Sequence, residues 1–136
     1  MASFRFAHVV TCWVFLGSLV LQFALAGYGV MGGDLELHML FGGTFLHIVI
    51  PLALMVTAWL GKLGWQQVLR GFGLFVLLTV QIMLVVVGRD VDSNVVQGLH
   101  PAFALLSAGY VYFLVLEPAL DAPREPVTRS RRATAR

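Results

Sequence analysis

Four stretches of the chain carry no Asp, Glu, Lys or Arg: Phe6–Met31, Leu37–Gly61, Gly71–Gly88 and Val95–Leu116. Each is close to or above the ~20 residues that a helix needs to cross ~30 Å of hydrocarbon. The solvent of such segments is lipid, and polar residues cluster between them. The pattern predicts an all-α, membrane-spanning four-helix bundle that runs up and down, with spans at about 6–31, 37–61, 67–88 and 95–117. Gly32-Gly33 marks the stop of the first helix. Short connections follow, with Asp34 and Glu36 before helix 2, Lys62 and Trp65 before helix 3, and Arg89, Asp90 and Asp92 before helix 4. Trp59, Trp65, Tyr110 and Tyr112 are candidates for aromatic belts at the two surfaces.

Two prolines disturb this pattern. Pro51 lies inside helix 2 and should kink it, because it cannot donate to the carbonyl of His47 four residues earlier. Lipid offers that carbonyl no other donor. Pro101 favours a first helical turn and pushes the residue before it out of the α region. His100 is therefore expected at a helix start or a kink, and a start at Pro101 leaves about 17 residues before Pro118, the short end of the spanning range.

Composition narrows the class. The chain is 59% hydrophobic and 12% charged, against roughly 25% charged for soluble domains, so it has room for one membrane domain and no soluble catalytic module. The single Cys12 excludes an intrachain disulfide and any multi-cysteine metal site. Phosphate-binding glycine loops, nucleophile elbows and acid pairs within the spans are absent, so nothing in the chain asks for an enzyme. With the N-terminus inside, eight of the nine basic residues face the cytoplasm: Arg5, Lys62, Arg70, Arg124, Arg129, Arg131, Arg132 and Arg136. Only Arg89 stays outside, beside four acids. The positive-inside rule then puts both termini in the cytoplasm. Residues 118–136 carry three prolines and alternating charge and read as a disordered basic tail. That charge speaks to anionic lipid, not to nucleic acid. Ala24-Leu25-Ala26 has the small-x-small form of a signal-peptidase site, but the apolar run before it is about 20 residues, longer than a signal-peptide core. The segment is read as a span.

Polar side chains are costly in a membrane and face the bundle interior. His38 and His100 open helices 2 and 4 at matched depth near the outer surface. Gln22, His47 and Gln81 lie deeper, in a layer ~12–15 Å from the outer helix ends at 1.5 Å per residue. His8 is near the opposite surface. A faint repeat links the halves, since Gln22 precedes His38 by 16 residues and Gln81 precedes His100 by 19. A depth-matched histidine pair on two helices is what a low-spin haem b needs, one imidazole nitrogen for each axial position. The porphyrin requires small neighbours a turn along, which Gly42, Gly43 and Ala104 supply. Arg89 could receive the propionates. Each feature also has a plain structural reading. Histidines near helix ends are often interfacial, and glycines let helices pack closely without any cofactor. His38 and His47 are nine residues apart, opposite faces of a straight α-helix. His47 is accordingly expected to hydrogen-bond Gln22 or Gln81. A proton-relay or quinone-facing role is its sharper reading.

The run Leu37-His38-Met39-Leu40-Phe41-Gly42-Gly43, with Gly98-Leu99-His100-Pro101 opening the last helix, resembles a family of small, uncharacterised four-span bacterial membrane proteins. The likeness runs to about Glu117 and implies a cytoplasmic (inner) membrane location. More distantly the chain is similar to one four-helix half of haem A synthase, in which haem-ligating histidines stand on the second and fourth helices near the outer surface. His38 and His100 match by helix and depth. Met39 departs from the arginine that usually follows the first histidine there, so the resemblance implies haem binding and not oxygenation. The leading expectation is a b-type haem or electron-transfer protein whose partners are lipid and a quinone or redox protein. The alternative is a cofactor-free accessory subunit of a larger membrane complex, or a homo-oligomer.

The charge asymmetry makes a direct prediction about topology. A reporter fused after Arg136 is expected to be active in the cytoplasm, and one inserted within 89–94 to report the outer side. The reverse pattern would overturn the assignment.

Overall fold

A computed structural model describes residues 2–121 of the chain. It is built of four long helices, α1 (Ala2–Val30), α2 (Glu36–Leu60), α3 (Trp65–Asp90) and α4 (Asn94–Asp121), each long and apolar enough to cross a membrane. Among the described residues there is no strand. Each helix packs against the next in the chain, and α4 returns to α1, so α2 and α4 lie diagonally across the bundle. The predicted architecture is therefore present, and the protein is a membrane protein of the four-helix class.

The turns use one device three times. At the end of α1, Gly33 N–H donates to Tyr28 O and Gly32 N–H to Gly29 O, the paired bonds of a Schellman cap. Lys62 and Asp92 sit at the equivalent positions after α2 and α3 and make the same pairs of bonds. All three residues have positive φ, which glycine adopts without strain at position 32 and which Lys62 and Asp92 adopt as single non-glycine residues. The stop expected at Gly32 is where the helix ends.

The core is a single column. Cys12, Phe15 and Leu19 of α1 meet Leu46, Ile50 and Leu54 of α2, Leu74 and Leu78 of α3, and Val111, Val115 and Leu116 of α4. In α1, α2 and α3 these positions recur every three or four residues, the spacing of one helix face. The outer faces carry large exposed apolar residues such as Phe6, Val20, Leu105 and Phe113. In lipid those faces gain nothing by burial, and close packing of the inner faces holds the bundle together. Trp59 and Trp65 are exposed at the end of the bundle where α2 joins α3, as a belt requires, whereas Tyr110 turns inward and donates to Arg70 O at 3.0 Å.

Four expectations about the helices are corrected. First, α4 starts at Asn94, capped by Ser93 Oγ and in line with the span expected from about 95, so Pro101 lies inside the helix and His100 is not at a helix start. Second, residues 118–121 continue α4 as helix; the remainder of the expected disordered tail lies outside the described residues. Third, α3 begins at Trp65, not Gln67. Fourth, α2 is not an α-helix with a simple proline kink. Residues Phe41–Val49 form a π-helix, with Ile50 N–H donating to Phe45 O five residues back. A second π segment, Val111–Leu116, ends with Glu117 N–H donating to Tyr112 O. Both segments end two residues before a proline, Val49 before Pro51 and Leu116 before Pro118. A proline ring collides with the carbonyl four residues back, and a wider turn carries that carbonyl out of its path.

This relation predicts the effect of Pro51→Ala. The new N–H can donate to His47 O, so the π segment is expected to shorten and the outer end of α2 to rotate relative to Trp59. A structure of the variant with an unchanged π segment would show that neighbouring helices, not the proline, set the wide turn.

Candidate functional site

His38 and His100 meet across the bundle diagonal. Their ring centroids are 6.3 Å apart with the planes inclined by 65°. Each ring is fixed by the preceding helix in the same way. His38 Nδ1 lies 3.2 Å from Gln22 O, and His100 Nδ1 lies 3.0 Å from Gln81 O. A carbonyl oxygen only accepts, so Nδ1 carries the proton in both rings and Nε2 carries the lone pair. The faint sequence repeat is thus a repeated bond, histidine to the main chain of its glutamine.

The depths differ from those the sequence suggests. Gln22 and Gln81 are level with the histidine pair, not a layer below it. The connection before α2 folds back along α1, with Leu35 lying against Gly29, so α2 begins well below the end of α1. In the second hairpin Gln97 lies against Gly88 near the end of α3, and His100 reaches the level of Gln81 because it stands well inside α4, which begins at Asn94. Gln22 contacts His38 twice more. Its Nε2 donates to His38 O at 2.9 Å and lies 3.4 Å from His38 Nε2. Gly42 makes this possible, because a Cβ there would collide with the Gln22 amide. The oxygens Gln22 Oε1 and Gln81 Oε1 are buried without a hydrogen-bond partner.

His47 is also corrected. It bonds neither glutamine. Its Nε2 lies 2.8 Å from Thr79 Oγ1, whose own proton goes to Phe75 O at 2.8 Å. His47 Nε2 is therefore the donor, and the ring stacks on Phe75 with centroids 4.8 Å apart. Nor does His47 face away from His38. Both line one cavity, because the π segment lies between them and turns less per residue than an α-helix. Thr79 gives no clear signal in the sequence, since a threonine in an apolar span bonds its own helix and passes for a neutral residue. His8, fully buried near the other surface, repeats the pattern with Thr57 Oγ1 at 3.0 Å and has no part in this site.

Two cavities flank the histidine pair. The larger, about 390 Å³, runs from His38 and His100 past Gly43 and His47, with the exposed Arg89 at its edge. The smaller, about 170 Å³, reaches Ala104 and Pro101 on the other side. His38, His100, Gln22, Gln81 and Leu19 line both. A Cβ on Gly43 would meet nothing within 4 Å, so this glycine leaves open space where the sequence reading wanted it. Among the described residues, no three His, Cys, Asp or Glu side chains come together to hold a bare metal ion. Two imidazoles suffice only for a metal that brings its own equatorial ligands.

No family model, curated protein or solved structure matches this chain. The fold and the site together define an integral membrane four-helix bundle with a paired-histidine cavity near one surface.

The His47–Thr79 bond can be tested by itself. Thr79→Val removes the acceptor and leaves an imidazole N–H unpaired inside the bundle. The expected loss is about 1 kcal/mol, within the range of such bonds between membrane helices, read from denaturant unfolding in detergent.

Proposed function

We propose that the protein is a b-type haem protein of electron transfer, with His38 and His100 as the axial ligands. The observation that carries this reading is the matched tautomer of the two rings. Both Nδ1 atoms donate to main-chain carbonyls, which leaves the Nε2 lone pairs toward the cavity, that of His100 unengaged and that of His38 met by the Gln22 amide at 3.4 Å, and holds the rings in place by outer-shell bonds. The spacing agrees. Two imidazoles that share one metal at about 2 Å stand with centroids a little over 6 Å apart, as these do. A flat macrocycle between the rings would extend into both cavities, past Gly43 and Gly42 on one side and Ala104 on the other. Arg89 is placed to pair with carboxylates at the cavity edge. Bound there, a haem supplies a reversible one-electron couple. The apolar walls exclude water from that couple, and the lipid-facing exterior leaves a quinone or a redox protein as its exchange partner.

The finer location follows from charge. We place the cavity end at the outer face of a bacterial cytoplasmic membrane, with both termini inside. One observation favours the alternative of a cofactor-free subunit in a larger complex or homo-oligomer: 6.3 Å at 65° is also an ordinary edge-on packing of two rings.

Absorption separates the two. Purified from haem-replete cells, the protein is expected to show a Soret band and a sharp reduced α-band of low-spin haem b. His38→Ala and His100→Ala should each abolish the low-spin spectrum, and Gly43→Leu should lower haem content by filling the cavity. His8→Ala should leave the spectrum intact. A well-folded preparation from haem-replete cells without Soret absorbance would overturn the proposal.

A further inference from the structure

The end of the bundle away from the paired histidines carries a second polar pair. Gln22 and Gln81 lie level across the bundle, and both line the two cavities. Fourteen residues before each comes another buried polar residue, His8 in α1 and Gln67 in α3. Both stretches are unbroken α-helix, and in this up-and-down bundle α1 and α3 run parallel. Equal counts then give equal descent, about 21 Å, and about four turns return to the same face. His8 and Gln67 are therefore level with each other and face the bundle axis from opposite sides. Their neighbours match too. Cys12 and Phe15 are buried at the same steps along α1 as Gly71 and Leu74 along α3.

Each of the two is tied to the helix that follows its own. His8 Nδ1 donates to Thr57 Oγ1 at 3.0 Å, because the Thr57 hydroxyl proton is spent on Ala53 O at 2.6 Å. Gln67 Nε2 donates to Val115 O at 3.3 Å, and a turned-over amide would set oxygen against oxygen there. Two acceptors are left over, His8 Nε2 and Gln67 Oε1. Both are buried, and neither has a hydrogen-bond partner among the described residues. A sealed acceptor without a donor is costly, and hydrocarbon supplies none.

We propose that a single water molecule is bound on the bundle axis between these residues, donating one proton to His8 Nε2 and the other to Gln67 Oε1. Water brings two donors in one small neutral molecule, which is what two facing acceptors in a closed interior require. A cation would also answer the acceptors, but this layer offers it no counter-charge. Glu117 and Asp121, the acids at this end of α4, are exposed. Arg5 lies a turn from His8, with its Nε on Gly61 O at 3.1 Å, and repels a second positive charge. The site is separate from the cavity of the paired histidines and does not depend on what that cavity holds. It makes His8 and Gln67 one unit, since loss of either leaves the water with a single anchor.

The test is nuclear magnetic resonance on the isotope-labelled full chain in detergent at neutral pH. His8 is expected to show a protonated Nδ1 and an unprotonated, hydrogen-bonded Nε2. Hδ2, the carbon-bound ring proton beside Nε2 and away from Thr57, should receive magnetisation from water. Cys12→Ala should keep that transfer, which rules out a relay through the thiol, whereas Gln67→Leu should abolish it. Denaturant unfolding supplies a second readout. The double variant of His8→Leu and Gln67→Leu should fall short of the product of the two single effects by about fivefold in the unfolding constant, the factor one shared hydrogen bond contributes. Absence of the transfer in folded wild-type protein would overturn the proposal. So would its persistence in Gln67→Leu, or strict additivity of the two variants. An Nε2 that carries a proton at neutral pH would overturn it as well, and would make the guest a proton.

Discussion

The ring N–H of each histidine within this bundle finds its acceptor in the protein, because the hydrocarbon around it offers none. That constraint fixes the four histidines of the spans. His38 and His100 spend their Nδ1 protons on the carbonyls of Gln22 and Gln81. His8 and His47 spend one ring proton on threonine hydroxyls whose own protons are tied to the preceding helical turn. In water each imidazole would exchange freely between tautomers. Here each is held in one, and for the facing pair the result is two lone pairs on Nε2. The site is thus a consequence of satisfying the N–H side of the rings.

The same constraint explains the wide turns. A proline in a lipid-embedded helix deprives a carbonyl of its donor and crowds it with a ring. In α2 and α4 the helix responds with i to i−5 bonding that runs up to Ile50 and Glu117, the residues before Pro51 and Pro118. In α2 this local repair has a distant effect. It brings His47 round to the cavity that His38 lines, where a regular helix would turn it away. Backbone bonding thereby decides how many imidazoles the cavity has.

The repeat of hairpins sets the symmetry of the site and the close contacts break it. Both halves supply a glutamine carbonyl to a histidine. Only the first half has a glycine, Gly42, that lets the glutamine amide reach its histidine as well.

The sequence by itself determined the four spans, their order, the stop at Gly32, the apolar exterior and the candidate pair His38 and His100. These follow from the absence of charge over lengths that match a bilayer, which is a one-dimensional property. Small residues near His38 were also legible, but which of them leaves room was not: Gly43 is open, whereas the Gln22 amide fills the space at Gly42. Only the tertiary structure decided the depth of Gln22 and Gln81, the partner of His47 and the start of α4. Depth depends on how far a connection folds back, as Leu35 does against Gly29. The facing of His47 depends on hydrogen-bond register within α2, and residue count gives facing only when the turn is known. Thr79 was hidden because a hydroxyl that bonds its own helix has no signature until an imidazole from another helix arrives beside it.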